Sequence, residues 1–401
     1  MSGKLRIAII GTGSRGTHCF GKILSGRPDV EIAAICEPNP VRARASMDFL
    51  KIDPPVYSSV EEMAAKEKLD GVAITAPDYL HHDCAVASLK AGWNILIDKP
   101  LATNVKDGLD IIETAKQTGK IVMIGFNLRH SPVLKRLKQI IDEGTLGKIF
   151  LAECREYYGG GRTYMSRWNR LFANTGGLWI HKGSHDFDVF NWLLGFPKPL
   201  RVSSFAAVNV LKPGGLPFRL EPGHEPGPSC KNCYYADQCK DRYLLKDDEY
   251  RLFSEEAAQE DGYIKDRCMY FSDKDNHDNG LAIVEYEHNI KVSMLECFTC
   301  SKGGRNYTCI GDRGLAEVDL DGRTISVFPR WGERVTYHIN EEEGGHGGAD
   351  PHLVDTFCQV LRGEIPAPST AEHGLLATAL GQAAEISRRQ NRMVEMSELL
   401  G

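Results

Sequence analysis

Residues 4–37 read KLRIAIIGTGSRGTHCFGKILSGRPDVEIAAICE, and their reading decides the fold. The run at 4–10 is short, apolar and rich in isoleucine, a buried strand by its length and flanks. GTGSRG occupies 11–16, a segment of helical character runs to about Gly26, and a second strand, VEIAAIC at 30–36, ends at Glu37. Short glycine patterns recur by chance, so GTGSRG alone says little. Here the setting is complete: a strand before it, a helix after it, and an acid 21 positions beyond Gly16 at the end of the next strand, the spacing of the dinucleotide fingerprint. Gly11 permits the tight turn, Gly13 lets the backbone approach a pyrophosphate, and Gly16 lets helix and strand pack closely. Thr12, Ser14 and Arg15 complete the loop, and the helix N-terminus offers free N–H groups to phosphate. Glu37 is placed to accept from the adenosine ribose diol. A 2′-phosphate would meet a carboxylate there, so NAD is expected rather than NADP; Arg42 and Arg44 lie near enough to keep NADP open.

Working outward, GVAIT (71–75), NILID (94–98) and IVMIG (121–125) read as further strands, and 40–50, 79–91 and 104–118 as helices. Alternating strands and helices imply a parallel sheet with right-handed crossovers, ending near residue 126. A helix over 132–143 bridges to a second half of different character. There, 148–158, 200–210, 281–288, 290–299, 305–311, 314–319 and 323–328 alternate like strands joined by short turns, and 351–362 and 371–390 are helical. The expected fold is therefore α/β: a Rossmann dinucleotide-binding domain over 1–126, then an α+β domain over 127–401 built on a mostly antiparallel sheet. Residues 212–280, rich in Pro, Gly, charge and Cys, read as an insertion.

The chain has 401 residues, 48 Lys+Arg against 54 Asp+Glu, and a formal charge of −6. No basic block exists, so nucleic acid is not an expected partner. The longest apolar runs, such as Ile7–Ile10, fall far short of the roughly 20 residues of a membrane span. The N-terminal apolar run is too short for a signal segment, and a cytoplasmic location is expected. Twelve cysteines are too sparse for a disulfide scaffold, and Cys36, Cys84, Cys154 and Cys358 read as small buried hydrophobes.

Chemistry converges on the C-terminal strand ends, where open α/β sheets bind ligands. Asp98-Lys99-Pro100 ends one strand, Ala76-Pro77 another, and Asn127 and Arg129 follow a third. The stretch GGLWIHKGSHDFD (176–188) adds His181, Lys182 and His185. Read as one helix, it puts His181, His185 and Asp188 on a single face, a stripe that could hold a divalent metal, although Lys182 and Lys99 would repel one. Oxidising a secondary alcohol removes a hydride and a proton. A desolvated lysine and a histidine both titrate near neutrality, so Lys99 and His185 can share base and donor roles. Tyr164, Arg167, Trp168 and Arg170 form a loop suited to lining a sugar ring, or equally to a domain interface. Cys230, Cys233, Cys239 and Cys268 lie in a segment poor in apolar residues; four thiolates could hold a structural zinc there, with an iron–sulfur cluster or free thiols as alternatives and His224 as a substitute ligand. Cys297 and Cys300, on a predicted strand, point to opposite faces and read as packing.

With GTGSRG at 11–16, TAPDYLHHDCAVASLKAGWNILIDKPLA at 75–102, GFNLRHSP at 125–132 and GGLWIHKGSHDFD at 176–188, the chain resembles the glucose–fructose oxidoreductase / inositol dehydrogenase / MocA family over nearly its whole length. The resemblance implies a Rossmann domain, a second domain with a large open sheet, a tightly held nicotinamide cofactor, homodimers or homotetramers packed through the open sheet, and redox chemistry on a secondary alcohol of a sugar, cyclitol or derivative. It matches Lys99 to the family's catalytic lysine and His185 to its catalytic histidine. Asp98 stands where the family usually has Glu, and His181 where it usually has Asp. Gly11, Thr12, Gly13, Ser14, Arg15, Gly16, Glu37, Ala76, Pro77, His81, Asp98, Lys99 and Asn127 are the expected cofactor contacts; Arg129, Tyr164, Trp168, Arg170 and Lys182 the expected substrate contacts; Lys99, His185 and His181 the expected catalytic groups. An NAD-dependent dehydrogenase acting on a sugar, cyclitol or glycoside is the leading reading. Its alternatives are a redox-neutral glycosidase that retains NAD and oxidises its substrate transiently, and a dinucleotide sensor, which would need neither Lys99 nor His185.

Overall fold

The computed structural model describes residues 3–340 and 342–401, with the side chains of Asp247 and Asp248 excepted. Its first sheet has six strands: β1 (Leu5–Ile10), β2 (Val30–Cys36), β3 (Val56–Tyr57), β4 (Gly71–Ile74), β5 (Asn94–Ile97) and β6 (Val122–Ile124). Their order is β3-β2-β1-β4-β5-β6 and every pair is parallel. Strands covered on both faces need apolar residues at nearly every position, and β1, β4 and β5 are buried almost throughout. Winding reverses between β1 and β4, so the crevice for a ligand opens beyond their C-terminal ends. Between β1 and β2 the helix runs Arg15–Gly21 and then Lys22–Ser25. The late helix Ala349–Leu361 returns to cover this sheet: Leu353, Val354, Phe357 and Cys358 pack with Ile7, Ile9, Ala73 and Leu96.

The second sheet has nine strands: β7 (Ile149–Tyr157), β8 (Pro199–Ala207), β9 (Asn279–Tyr286), β10 (Ile290–Cys297), β11 (Gly304–Gly311), β12 (Gly314–Asp319), β13 (Thr324–Pro329), β14 (Val335–His338) and β15 (Val394–Glu395). The order is β14-β13-β12-β11-β7-β10-β9-β8-β15. All pairs are antiparallel except β7 with β10, so the sheet is mixed: β7, arriving from the first half, inserts between β10 and β11. One face is packed by the helices Ser184–Leu193 and Ala371–Gln390, and the other carries exposed Phe205, Leu281 and Ile283. Among the described residues no helix is long and apolar enough to cross a membrane.

One helix differs from its sequence reading. The helix expected after the glycine-rich entry at 176–177 and ending at Gly195 is broken into Leu178–His181 and Ser184–Leu193 around Lys182-Gly183. Gly183 lets the chain pass tightly here, since a Cβ would lie 2.6 Å from the Trp179 carbonyl oxygen. The stretch 212–280 carries only short helices, among them Glu255–Asp261, which packs against the helix Pro40–Leu50 after β2.

Candidate active site

The glycine loop is built as its spacing requires. Gly11 has φ +89°, and a Cβ on it would lie 2.7 Å from the Ala76 nitrogen. A Cβ on Gly16 would lie 2.1 Å from the Gly11 carbonyl oxygen. At Gly13 nothing lies within 4 Å of the Cβ position, so the loop opens on free space where a pyrophosphate would rest. Glu37, at the end of β2, accepts from the Thr12 N–H and hydroxyl (2.9 and 3.1 Å) and from the Asn39 N–H (3.1 Å). Arg42 is not left free for a 2′-phosphate: its Nη1 is 2.6 Å from Asp261 and 3.7 Å from Glu37. Arg44 points outward and pairs with Asp48. This set of donors and space fits a dinucleotide that ends in an unphosphorylated ribose.

At the other end of the crevice, Arg15 joins Asp98 (3.3 Å) to Asp350 (3.0 Å), and Asn127 Nδ2 donates to the same Asp350 oxygen (2.9 Å). Asn127 Oδ1 is buried with no partner among the described residues, an acceptor available to a carboxamide N–H. The His81 ring lies between the Pro100 and Ala76 carbonyls (2.7 and 3.0 Å) and ties the loops after β5 and β4 together.

Lys99 follows β5 and is joined to Pro100 by a cis peptide bond. Its Nζ donates to the His181 carbonyl oxygen at 2.5 Å. Burial lowers its pKa from 10.5 to about 8, against the opposing pull of Asp78 and Asp98 and with help from Lys182 and Arg15. His185, in the first turn of Ser184–Leu193, is held neutral: burial, then the charges of Lys99, Arg305 and Lys182, push its pKa well down. His181 is fully engaged. Its Nδ1 meets Asp78 Oδ2 at 2.6 Å, its Nε2 meets Asn169 Nδ2 at 3.0 Å, and Tyr164 and Trp168 pack edge-on against its ring.

A cleft of about 460 Å³ opens over the second sheet and reaches the segment after β6, lined in part by His185, Lys182, Glu156, Tyr158, Arg305 and His346. The sheet register builds its floor. Glu156 on β7 lies opposite Arg305 on β11 and Glu296 on β10, all on the inner face. Glu156 accepts from Lys182 (2.7 Å) and Arg305 (2.5 Å). Burial would lower the Lys182 pKa, but Glu156 overrides it and keeps the ammonium charged. Behind them, Tyr307 donates to Asp186 at 2.6 Å.

Lys99, His185 and Lys182 are thus gathered at one place with the glycine loop and Asn127. The other expected substrate residues lie away from the cleft. Arg129 makes a buried two-pronged pair with Asp188 (2.8 and 2.6 Å) and Arg170 an exposed two-pronged pair with Asp273 (2.8 and 3.0 Å), so both guanidiniums are engaged within the protein and neither lines the cleft. Trp168 and Tyr164 support His181 rather than face the cleft. The His181–His185–Asp188 stripe does not form, because the helix breaks between the histidines and Asp188 is taken by Arg129. The zinc expectation is also corrected. Cys230, Cys239 and Cys268 line one small cavity, yet among the described residues no three His, Cys, Asp or Glu side chains are grouped to hold a metal. Cys297 and Cys300 are not on opposite faces of a strand: β10 ends at Cys297, and the chain beyond it brings the Cys300 thiol within hydrogen-bonding reach of Cys297, with burial and that bond raising its pKa to about 11. Sequence reasoning missed Asp78, Glu156, Arg305, His346 and Asp350. For Glu156 and Arg305 a signal existed: each carries charge on the strand face otherwise occupied by Ala152 and Cys154, or by Tyr307 and Cys309.

Two models of an oxidoreductase family match the chain: the NAD-binding Rossmann fold over residues 5–126 and the C-terminal alpha/beta domain over 138–396. A Bacillus subtilis protein described as an oxidoreductase, YteT, is 28% identical, with 98% of each chain covered. An inositol 2-dehydrogenase of Salmonella typhimurium is 29% identical over 47% of this chain and 54% of its own. Among solved structures, the WlbA dehydrogenase of Bordetella pertussis, in complex with NADH and UDP-GlcNAcA, superposes with a TM-score of 0.69 at 19% identity, covering 98% of both chains; at that identity the likeness concerns the fold.

Proposed function

The chain belongs to this Gfo/Idh/MocA family of NAD-dependent oxidoreductases, and we propose that it moves a hydride between NAD and a secondary ring alcohol of a sugar, cyclitol or glycoside, with Lys99 and His185 handling the proton. The observation that carries the reading is the desolvated Lys99 amine, brought to a pKa of about 8 at the end of β5, beside the neutral His185 imidazole on the cleft wall. NAD, when bound, supplies the hydride acceptor. The chain's own groups manage the rest. Lys99 Nζ takes the hydroxyl proton, because a base works best when its pKa lies near the working pH, and that of His185 is too low. His185 hydrogen-bonds the reacting hydroxyl as a neutral ring. His181 is a positioning residue: Asp78 and Asn169 fix its ring, and its carbonyl orients Lys99. Lys182 and Arg305, each anchored on Glu156, offer N–H donors to ring hydroxyls, and Glu156 offsets one of their two positive charges. The pairing of Arg42 with Asp261 and Glu37 favours NAD over NADP.

The test is K99M. It is expected to bind NAD as the wild type does and to lose at least a thousandfold in turnover on a cyclitol, sugar and glycoside panel read by NADH absorbance. Full activity in that variant overturns the assignment. Product formation by the wild type with no net NADH would instead point to redox-neutral use of the cofactor.

A further inference from the structure

Apart from Asp261, the stretch between β8 and β9 has no part in the chemistry above, yet it is seated on the nucleotide edge of the first sheet. Asn39 and Arg42 stand just beyond β2, where an adenosine ribose lies in this kind of crevice. Asn39 Nδ2 donates to the Ala257 carbonyl (2.8 Å) and to Asp261 (2.9 Å); Arg42 donates to Asp261 (2.6 Å) and to the Leu252 carbonyl (3.3 Å). Burial alone would raise the Asp261 pKa, but the bonds from Arg42 and Asn39 keep it below the usual carboxylate value, so the latch is an ionic one. The same stretch then brings a lysine to the glycine loop. Lys265 Nζ is 3.1 Å from Ser14 Oγ, in the fourth position of GTGSRG, and its side chain is 1% exposed. Burying an ammonium is costly unless it is paired. Here Glu249 at 2.6 Å and the Phe253 ring at 3.8 Å hold it from the insertion side. The loop that it reaches is the one with open space at Gly13.

We propose that residues 249–265 clasp the bound dinucleotide, with Lys265 supplying a cation to its pyrophosphate and the Asn39/Arg42–Asp261 latch closing over the adenosine end. A helix N-terminus and glycine N–H groups already receive phosphate in such folds; an ammonium delivered from outside the first sheet adds a charge-assisted contact that must be broken before the nucleotide leaves. The inference rests on the cofactor reading above and adds to it a retention device: dissociation of NAD requires the insertion to lift from β2.

The experiment uses the full chain freed of copurified nucleotide. NAD, ADP-ribose and adenosine are titrated calorimetrically into wild type, K265M and K265R, and NAD release is followed by displacement. K265M is expected to weaken NAD and ADP-ribose at least tenfold and to leave adenosine unchanged, because only the first two carry a pyrophosphate; K265R is expected to keep most of the affinity. D261A is expected to speed NAD release at least tenfold. K265M with wild-type NAD affinity, or with equal losses for adenosine and ADP-ribose, overturns the role of Lys265. If K265M does not fold, an unchanged NAD release rate in D261A overturns the clasp. A wild type that binds no NAD would instead overturn the cofactor reading itself.

Discussion

At the scale of single residues, the role proposed for Lys99 sets function and stability against each other. Its folded pKa, about 8, lies below its unfolded value of 10.5. Between those values the unfolded chain binds more protons than the folded one, so stability rises with pH across that window, and below pH 8 the buried ammonium carries its full penalty. K99M removes the penalty. At pH 7 the inactive variant is expected to be more stable by about 1–3 kcal/mol, read as a higher Tm, with the gain shrinking toward pH 10. Activity reads the same group from the other side: alcohol oxidation should climb as pH rises through about 8. Asp78 sets where that limb falls. Its charge raises the Lys99 pKa while its carboxylate holds His181. D78N is expected to move the limb to lower pH, a shift that mere loosening of the loop would not produce; a pH–rate profile that keeps its midpoint in D78N refutes the coupling.

At the scale of elements, the crevice depends on how the broken helix 178–193 is pinned to the first sheet. Arg129, just after β6, and Asp188, on Ser184–Leu193, form the pin, and Arg129 also donates to the Pro368 carbonyl (2.8 Å). Burial raises the Asp188 pKa to about 6 even with the guanidinium beside it, so removing the partner leaves a carboxylate poorly compensated. R129M is expected to cost about 3–5 kcal/mol in chemical denaturation. A loss below 1 kcal/mol would show the pin to be dispensable. These elements also mark what the sequence discloses. Strands β1, β2, β4, β5 and β6 are legible because parallel strands buried on both faces must be apolar runs. β3 is not, because two residues borrowing an edge from β2 carry no period. The break at Lys182-Gly183 is hidden because 3.6-residue spacing continues through it, although the crowding of Gly183 against Trp179 is local, four residues back along the chain. Lys99 and His185 are legible from strand end and motif. Their supports come from residues 78, 156, 169, 305 and 350, brought together by sheet register and loop docking, which no local pattern encodes.

At the scale of the whole molecule, the second sheet separates two surfaces with different roles. Its inner face bears Glu156, Arg305 and the cleft floor; its outer face is uncovered in a single chain. There Phe205 (74% exposed) lies directly opposite Leu281 (52%) across β8 and β9, with Ile283 (54%) two residues along. Scattered apolar side chains are ordinary on a surface, but adjacent ones in register on a broad sheet form a patch that water penalises. A second copy of the same face is the cover that this chain can supply for itself, and the two-fold dimer that such a self-complementary contact makes is the commonest closed symmetry. The reading proposed here is therefore a homo-oligomer packed through β8, β9 and their neighbours. Analytical ultracentrifugation is expected to give a dimer or a multiple of it for the wild type. L281K combined with I283K, which sets like charges against one another across the two-fold, is expected to give the monomer. Because the substitutions lie on the face opposite the cleft, NAD affinity should stay within about twofold of wild type, as for sites without shared partners. A monomeric wild type would remove the interface from the reading, and a doubly substituted chain that still assembles would move it to another surface.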